Sequence, residues 1–403
     1  MSDAVPLPPR PNLEQYKKIA KDLQAACKSG EAASIGDWAA RWRKFQETHP
    51  RAGRCLLADA QFFLARAHGF ASWPKFAAHV EALKRARSPV SQFEAAVDAI
   101  VAGDAAGLER LLRENPELAR ARSTREHRST LLHYVSANGV EDFRQKTPPN
   151  IVEIARLLLG AGADVNAESD AYGGRSTALG LTATSCHPET AGVQTALMEL
   201  LIGHRAAIDG PDAPSAVNNC LGNGRGLAAV FLASRGARLD LEGAAGVGRL
   251  DLVRSCFSDD GSLKPPATRK QMEDGFAWAC EFGRTDVVEF LLQRGMTVDV
   301  KLRHYGQTGL HWAAFGGHAD TVRLLIARGS PLEWKDETFD GTPLAWALHE
   351  WRHAGAGVSG GGSYYEVVAL LVRAGATPED ADTEAARHDP RMLAALRGES
   401  PKD

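Results

Sequence analysis

His349, Glu350 and His353 in "HEWRH" satisfy H-E-x-x-H, the spacing in which imidazoles one helical turn apart hold zinc and the glutamate serves as general base. Gly355 and Gly357 follow at once, so the turn that both imidazoles need is poorly supported; Glu366 is the third ligand to consider. A second set is His187, Cys220 and Glu281, since a cysteine beside a histidine can act as nucleophile and base. Cys220 falls where a small residue normally packs inward, which reads as a buried, inert thiol. No paired carboxylates, G-x-S-x-G or dinucleotide fingerprint occurs, and "GAGVSGGG" lacks the GK[ST] ending of a phosphate loop and follows a helix rather than a strand. No catalytic residue, cofactor or metal is assigned, and enzymatic activity stays an open question.

The elements that would hold such groups recur along the chain. "GQTGLHWAAFGGHADTVRLLIARG" reads as two short helices joined by a glycine turn, and "DGFAWACEFGRTDVVEFLLQRGMTVDV" and "GTPLAWALHEW...YYEVVALLVRAGA" repeat it. Upstream copies run back to "FEAAVDAIVAGDAAGLERLLRENPEL", making about eight. Each pair leaves one apolar face open, and stacking closes these faces into one elongated core.

Thr308, Leu310, His311, Ala313, Ala314, Gly317, His318 and Gly329 in one copy, with Gly162, Ala163, Asp164, Val165 and Asn166 in another, resemble the ankyrin repeat. The resemblance covers about residues 91 to 377. It implies an all-α solenoid of about eight helix pairs whose first helices line a concave face. It also implies that His133 and His311, at the histidine of T-P-L-H, brace a neighbouring turn. Residues 1–12 are expected to be a flexible N-terminus, 13–88 a basic helical module, 91–377 the ankyrin repeats and 378–403 a capping helix and tail. The stretch "LADAQFFLARAHGFASWPKFAAHV" looks like the helical module that precedes repeats in many bacterial ankyrin proteins, which implies no chemistry. Trp38, Trp42 and Trp73 read as its core.

In register, the variable position of the first helix is Tyr134, Leu181, Asn219, Gly243, Trp278, Trp312 and Trp346, the last three spaced by 34 residues. These tryptophans should form a ladder along the concave face, serving repeat-to-repeat packing, recognition, or both. Asn219 and Gly243 interrupt it, and the hairpin after "GARLDL" is missing, so a central gap is expected between Tyr134 and Trp278. Candidate binding residues are Asn138, Tyr172, Ser185, His187, Asn219, Cys220 and Asn223, then Glu281, Phe282, Trp312, Trp346 and His349, with Asn218 and Arg225 nearby. Enlarged helix-to-helix links at 140–150, 188–194 and 353–364 read as function or as inexpensive insertions.

The formal net charge is −3, yet residues 10 to 87 hold 15 Lys and Arg against 7 Asp and Glu, a balance of +8, leaving −11 on the remainder. The first reading is therefore a noncatalytic protein that takes a protein or peptide in the concave groove. The alternative is an enzyme or small-molecule sensor with a pocket in the central gap. Nucleic-acid binding through the basic module comes third. No segment approaches the roughly 20 apolar residues that span a bilayer, so no membrane is expected and a cytoplasmic location follows. The six cysteines, with no CxxC pair, are expected to be reduced thiols.

Overall fold

The computed structural model describes residues 4–30, 35–49, 54–210, 214–302, 306–353 and 364–399. The chain forms two compact units, Met1–Ala207 and Ile208–Asp403.

The first unit opens with four helices, α1 (Leu13–Ser29), α2 (Trp38–Thr48), α3 (Leu57–Ala67) and α4 (Trp73–Leu83). The Asn12 side chain accepts the Glu14 N–H at 3.0 Å to start α1, and Gly30 stops it with a left-handed φ of 75°. Trp42, Phe63 and Leu64 sit in one apolar cluster and Tyr16, Phe70 and Phe76 in another. Trp38 and Trp73 pack against these clusters, as expected of core residues. Ahead of α1, the Val5 N–H donates to the Ala67 carbonyl at 2.7 Å, and His68 Nδ1 bonds the Val5 carbonyl at 2.7 Å. Cys27 and Cys55 are joined in a disulfide, which corrects the expectation of six thiols. Their Cα atoms lie 5.5 Å apart because the end of α1 meets the segment entering α3, a proximity that a separation of 28 residues does not reveal.

Helix pairs follow: α5 (Pro89–Ala102) with α6 (Ala105–Glu114), α7 (Leu131–Tyr134) with α8 (Ile151–Gly160), and α9 (Ala178–Thr184) with α11 (Gln194–Gly203), α10 (Cys186–Thr190) lying in the enlarged link between them. A short antiparallel finger, β1 (Glu168–Ser169) with β2 (Ser176–Thr177), sets Glu168 opposite Thr177. The second unit holds α12 (Ala216–Gly222) with α13 (Gly226–Ser234), α14 (Leu241–Gly246) with α15 (Leu250–Ser255), and α16 (Arg269–Glu281) with α17 (Thr285–Gln293). Then come α18 (Gly309–Phe315) with α19 (Ala319–Ala327), α20 (Pro343–His353) with α21 (Tyr364–Ala374), and the short α22 (Asp380–Ala385) and α23 (Pro390–Ala395). Among the described residues the two units hold eight helix pairs, and two short helices follow the last of them. First helices pack on first helices (α16 on α18, α18 on α20) and second helices on second (α17 on α19, α19 on α21). One apolar cluster runs from Leu241 to Leu396.

The repeat histidines show why the sequence closes this way. His133 Nδ1 accepts the Thr130 N–H at 3.1 Å and caps its own helix, while Nε2 reaches the Ser176 carbonyl of the next repeat at 3.0 Å. His311 does the same between Thr308 and Gly341, both at 3.1 Å. One imidazole therefore satisfies a helix-terminal donor and a finger carbonyl, provided it stays neutral. Burial lowers the His133 pKa to about 4.

Where the hairpin after 241 is missing, Asp240 takes over. Its carboxylate accepts the Gly243 N–H at 2.8 Å, the Asn218 amide at 3.0 Å and the Gln271 amide at 3.0 Å, tying three first helices together.

Candidate functional site

The aromatic residues of the second unit form a continuous run along the first helices. The Trp278 and Trp312 rings are 6.3 Å apart, Trp312 and Trp346 5.4 Å apart and edge-on, and Phe315 lies 6.0 Å from Trp312 and 5.7 Å from Trp346. Phe282 extends the run at one end, 6.4 Å from Trp278, and Phe339 at the other, 6.5 Å from Trp346. Each such ring pair contributes roughly 0.5–1.5 kcal/mol beyond the area it buries. Exposure rises along the run: Trp278 is 3% exposed, Trp312, Phe315 and Trp346 are half-buried, and Phe339 is 73% exposed. Two indoles have partners within the protein, Trp278 Nε1 donating to Glu242 at 2.9 Å and Trp346 Nε1 to Asp336 at 3.0 Å. Trp312 Nε1 is buried with no hydrogen-bond partner among the described residues.

Residues 276–382 match the family model of ankyrin repeats in three copies, the stretch that carries this run. This stretch of the chain carries ankyrin repeats. Among solved structures, the human ASB11 ankyrin repeat domain is similar, at 20% identity over 73% of this chain and all of that one, with a TM-score of 0.35. No curated protein matches in sequence. Ankyrin repeats in general mediate protein–protein interaction. No described helix is long and apolar enough to cross a membrane.

The hollow expected beside the small residues of the ankyrin first helices is filled. A Cβ on Gly243 would stand 2.7 Å from Asn218 Oδ1, and one on Gly246 would stand 2.4 Å from Leu221 Cδ1 and 3.1 Å from Trp278 Cβ. The glycines admit their neighbours instead of leaving space. Asn219 and Asn223 are exposed, with the Asn223 amide donating to the Asn219 carbonyl at 2.8 Å. Cys220 is buried and its thiol pKa is pushed up to about 12 by desolvation, which disfavours the thiolate near neutral pH. Glu281 is also buried, and Phe282 packs against the Gly226 backbone at the start of α13.

Tyr134 does not border a groove. It is fully buried in the first unit, 6.2 Å from Phe93 and 6.0 Å from His127, because the link after α7 folds back and buries Val140, Glu141 and Arg144. His187 lies in the first unit, whereas Cys220 and Glu281 belong to the second. Asn138, Tyr172 and Ser185 do gather: Tyr172 donates its hydroxyl to Asn138 Oδ1 at 2.6 Å, the Asn138 amide holds the Leu181 carbonyl at 3.1 Å, and Ser185 Oγ reaches the Ala137 carbonyl at 3.4 Å. Tyr172 is 71% exposed at a left-handed φ of 52°.

His349 is exposed and its ring lies 4.3 Å from that of His353, whose Nδ1 is taken up by the His349 carbonyl at 2.7 Å. Burial raises the Glu350 pKa. Among the described residues no three histidine, cysteine or carboxylate side chains group as metal ligands. The "GAGVSGGG" segment and most of the link at 353–364 lie outside the described residues.

Sequence reasoning missed a buried charge cluster in the first unit. Arg125 bonds Glu94 and Glu141, each at 2.6 Å. Arg144 bonds Glu94 at 2.8 Å, Asp98 at 2.8 Å and Glu141 at 3.3 Å. His127 Nε2 faces Glu141 Oε2 at 3.7 Å. Both arginines pull the Glu94 and Glu141 pKa values below the carboxylate range against strong desolvation, so the pairs stay charged. The available signal was the charged run "TREHR" at a finger, where a turn normally carries small polar residues.

Proposed function

We propose that the protein is a noncatalytic binder that seats a protein or peptide along the aromatic run of its C-terminal ankyrin repeats. The observation that carries this is the gradient from buried Trp278 to exposed Phe339. Rigid, half-exposed aromatic side chains in mutual contact form the usual core of a binding hot spot, because they bury large area at small entropic cost.

Peptides selected against the full chain from a display library test the reading. Phe339→Ala and Trp346→Ala should each weaken the selected peptides by about tenfold or more. Phe339 is so exposed that its truncation leaves the melting temperature in place, which separates recognition from packing. Peptides that bind both variants as tightly as the parent would defeat the reading.

A further inference from the structure

A cleft of about 780 Å³ opens within the first unit, far in sequence from the aromatic run and independent of the reading above. One wall is a face of α4, on which Lys75, Ala78, His79 and Ala82 follow at helical spacing. The other wall is the finger closed by the bridge between Arg122 and Thr130.

That finger is anchored on three sides. The Glu126 N–H donates to the Gly69 carbonyl at 2.9 Å, the Asp170 N–H to the His127 carbonyl at 2.7 Å, and the Arg125 side chain plunges into the buried carboxylates of Glu94 and Glu141. His79 stitches the walls together through Nδ1 and Thr124 Oγ1 at 2.7 Å, and its other ring nitrogen has no hydrogen-bond partner among the described residues. Arg128 holds a left-handed φ of 50°, a conformation that an L residue keeps only when its surroundings enforce it.

Charge in the cleft is unbalanced. Glu126 is neutralised by Arg66 from behind. Arg122 donates to two backbone carbonyls, those of Arg128 at 3.0 Å and Glu168 at 2.6 Å, which fixes the guanidinium without cancelling its charge. Lys75 is exposed and has no hydrogen-bond or carboxylate partner among the described residues. Arg128 is paired with Asp170 at 3.9 Å, which leaves Lys75 and Arg122 as the cations without a carboxylate partner among the described residues. Ala78 and Ala82, on the same wall as Lys75, and Val90 supply an apolar floor.

We propose that this cleft is a binding site for a small organic anion, its oxyanion head held by Lys75 and Arg122 and its apolar body lying on α4. The volume suits a drug- or nucleotide-sized molecule, and a guanidinium already held in a fixed orientation binds an oxyanion with little further ordering.

The test uses the full chain and 1-anilinonaphthalene-8-sulfonate, an apolar body with an anionic head. One saturable fluorescent site is expected, with N-phenyl-1-naphthylamine, which lacks the sulfonate, binding at least about tenfold more weakly. Ala78→Trp, at an exposed position, should abolish the signal by filling the cleft. Lys75→Ala should weaken binding by about threefold and Lys75→Ala with Arg122→Ala by about tenfold or more. Displacement by octyl phosphate or by octanoate supports the proposal and tells which head is preferred. Absence of a saturable site, displacement by neither, or affinity unchanged in Ala78→Trp or in Lys75→Ala overturns it. Melting temperatures of the variants are read alongside, and Lys75→Ala, which breaks no internal bond, keeps the outcome free of folding effects.

Discussion

The two units hold their repeats together by opposite means. In the first, the repeats α5/α6 and α7/α8 meet around buried charge, with Arg125 and Arg144 shared between Glu94 and Glu141. In the second, the repeats from α16 to α21 meet through an apolar cluster and an aromatic run. A charge network is satisfied only as a whole, since removing one member leaves its partners desolvated and unpaired. Stacked rings lose only the area of the ring removed, so the second unit should tolerate single changes better.

The largest expected effect tests the charge side. Arg125→Met should cost about 3–5 kcal/mol in denaturant unfolding, because it strands two buried carboxylates. Hydrogen exchange should rise across residues 89–160 while residues 269–374 keep their protection. A variant carrying apolar residues at all four of Glu94, Arg125, Glu141 and Arg144 should regain much of the loss. If Arg125→Met alone is neutral, the contrast between the units collapses.

Trp312→Ala comes next, at about 2 kcal/mol for a half-buried ring, and its loss should couple non-additively with Trp346→Ala because the rings touch. Additive double-mutant energies would show that the ladder does not act as a unit.

Acid offers a third comparison. Burial lowers the pKa values of His68, His79 and His133 from 6.5 to about 4, all in the first unit. Between those values the unfolded chain binds more protons than the folded one. Stability is thus fully present above about pH 6.5 and falls as pH drops toward 4, by at most about 1.4 kcal/mol per pH unit for each histidine. Denaturation at pH 7, 5.5 and 4.5 measures the slope, and His133→Gln should reduce it. A flat profile would show that these imidazoles are not neutral in the fold. The smallest effect is that of Phe339→Ala, within about 0.5 kcal/mol, because the ring is mostly in solvent.

Much of this was legible from local pattern. The 34-residue spacing of Trp278, Trp312 and Trp346 placed them on successive first helices, and their rings do touch in that order. The histidines of the T-P-L-H positions were likewise readable, since their cap lies three residues away. Tyr134 shares the tryptophans' register yet packs against Phe93 and His127 rather than in a ring ladder, and register carries no information about which distant side chains arrive beside it. Gly243 looked like missing material, whereas Asn218 stands where its side chain would be.

The amino-acid sequence on its own determined the helix pairs, their order and the face each pair buries, because helical periodicity, caps and glycine stops act over a few residues. Only the tertiary structure decided that Cys27 meets Cys55, that Arg125 of a finger reaches Glu94 and Glu141, and that a cleft with uncompensated cations stands beside α4. Those outcomes depend on which distant side chains arrive to neutralise a charge or fill a space. Burial and pairing across 30 or so residues and more are settled by packing, not by spacing along the chain.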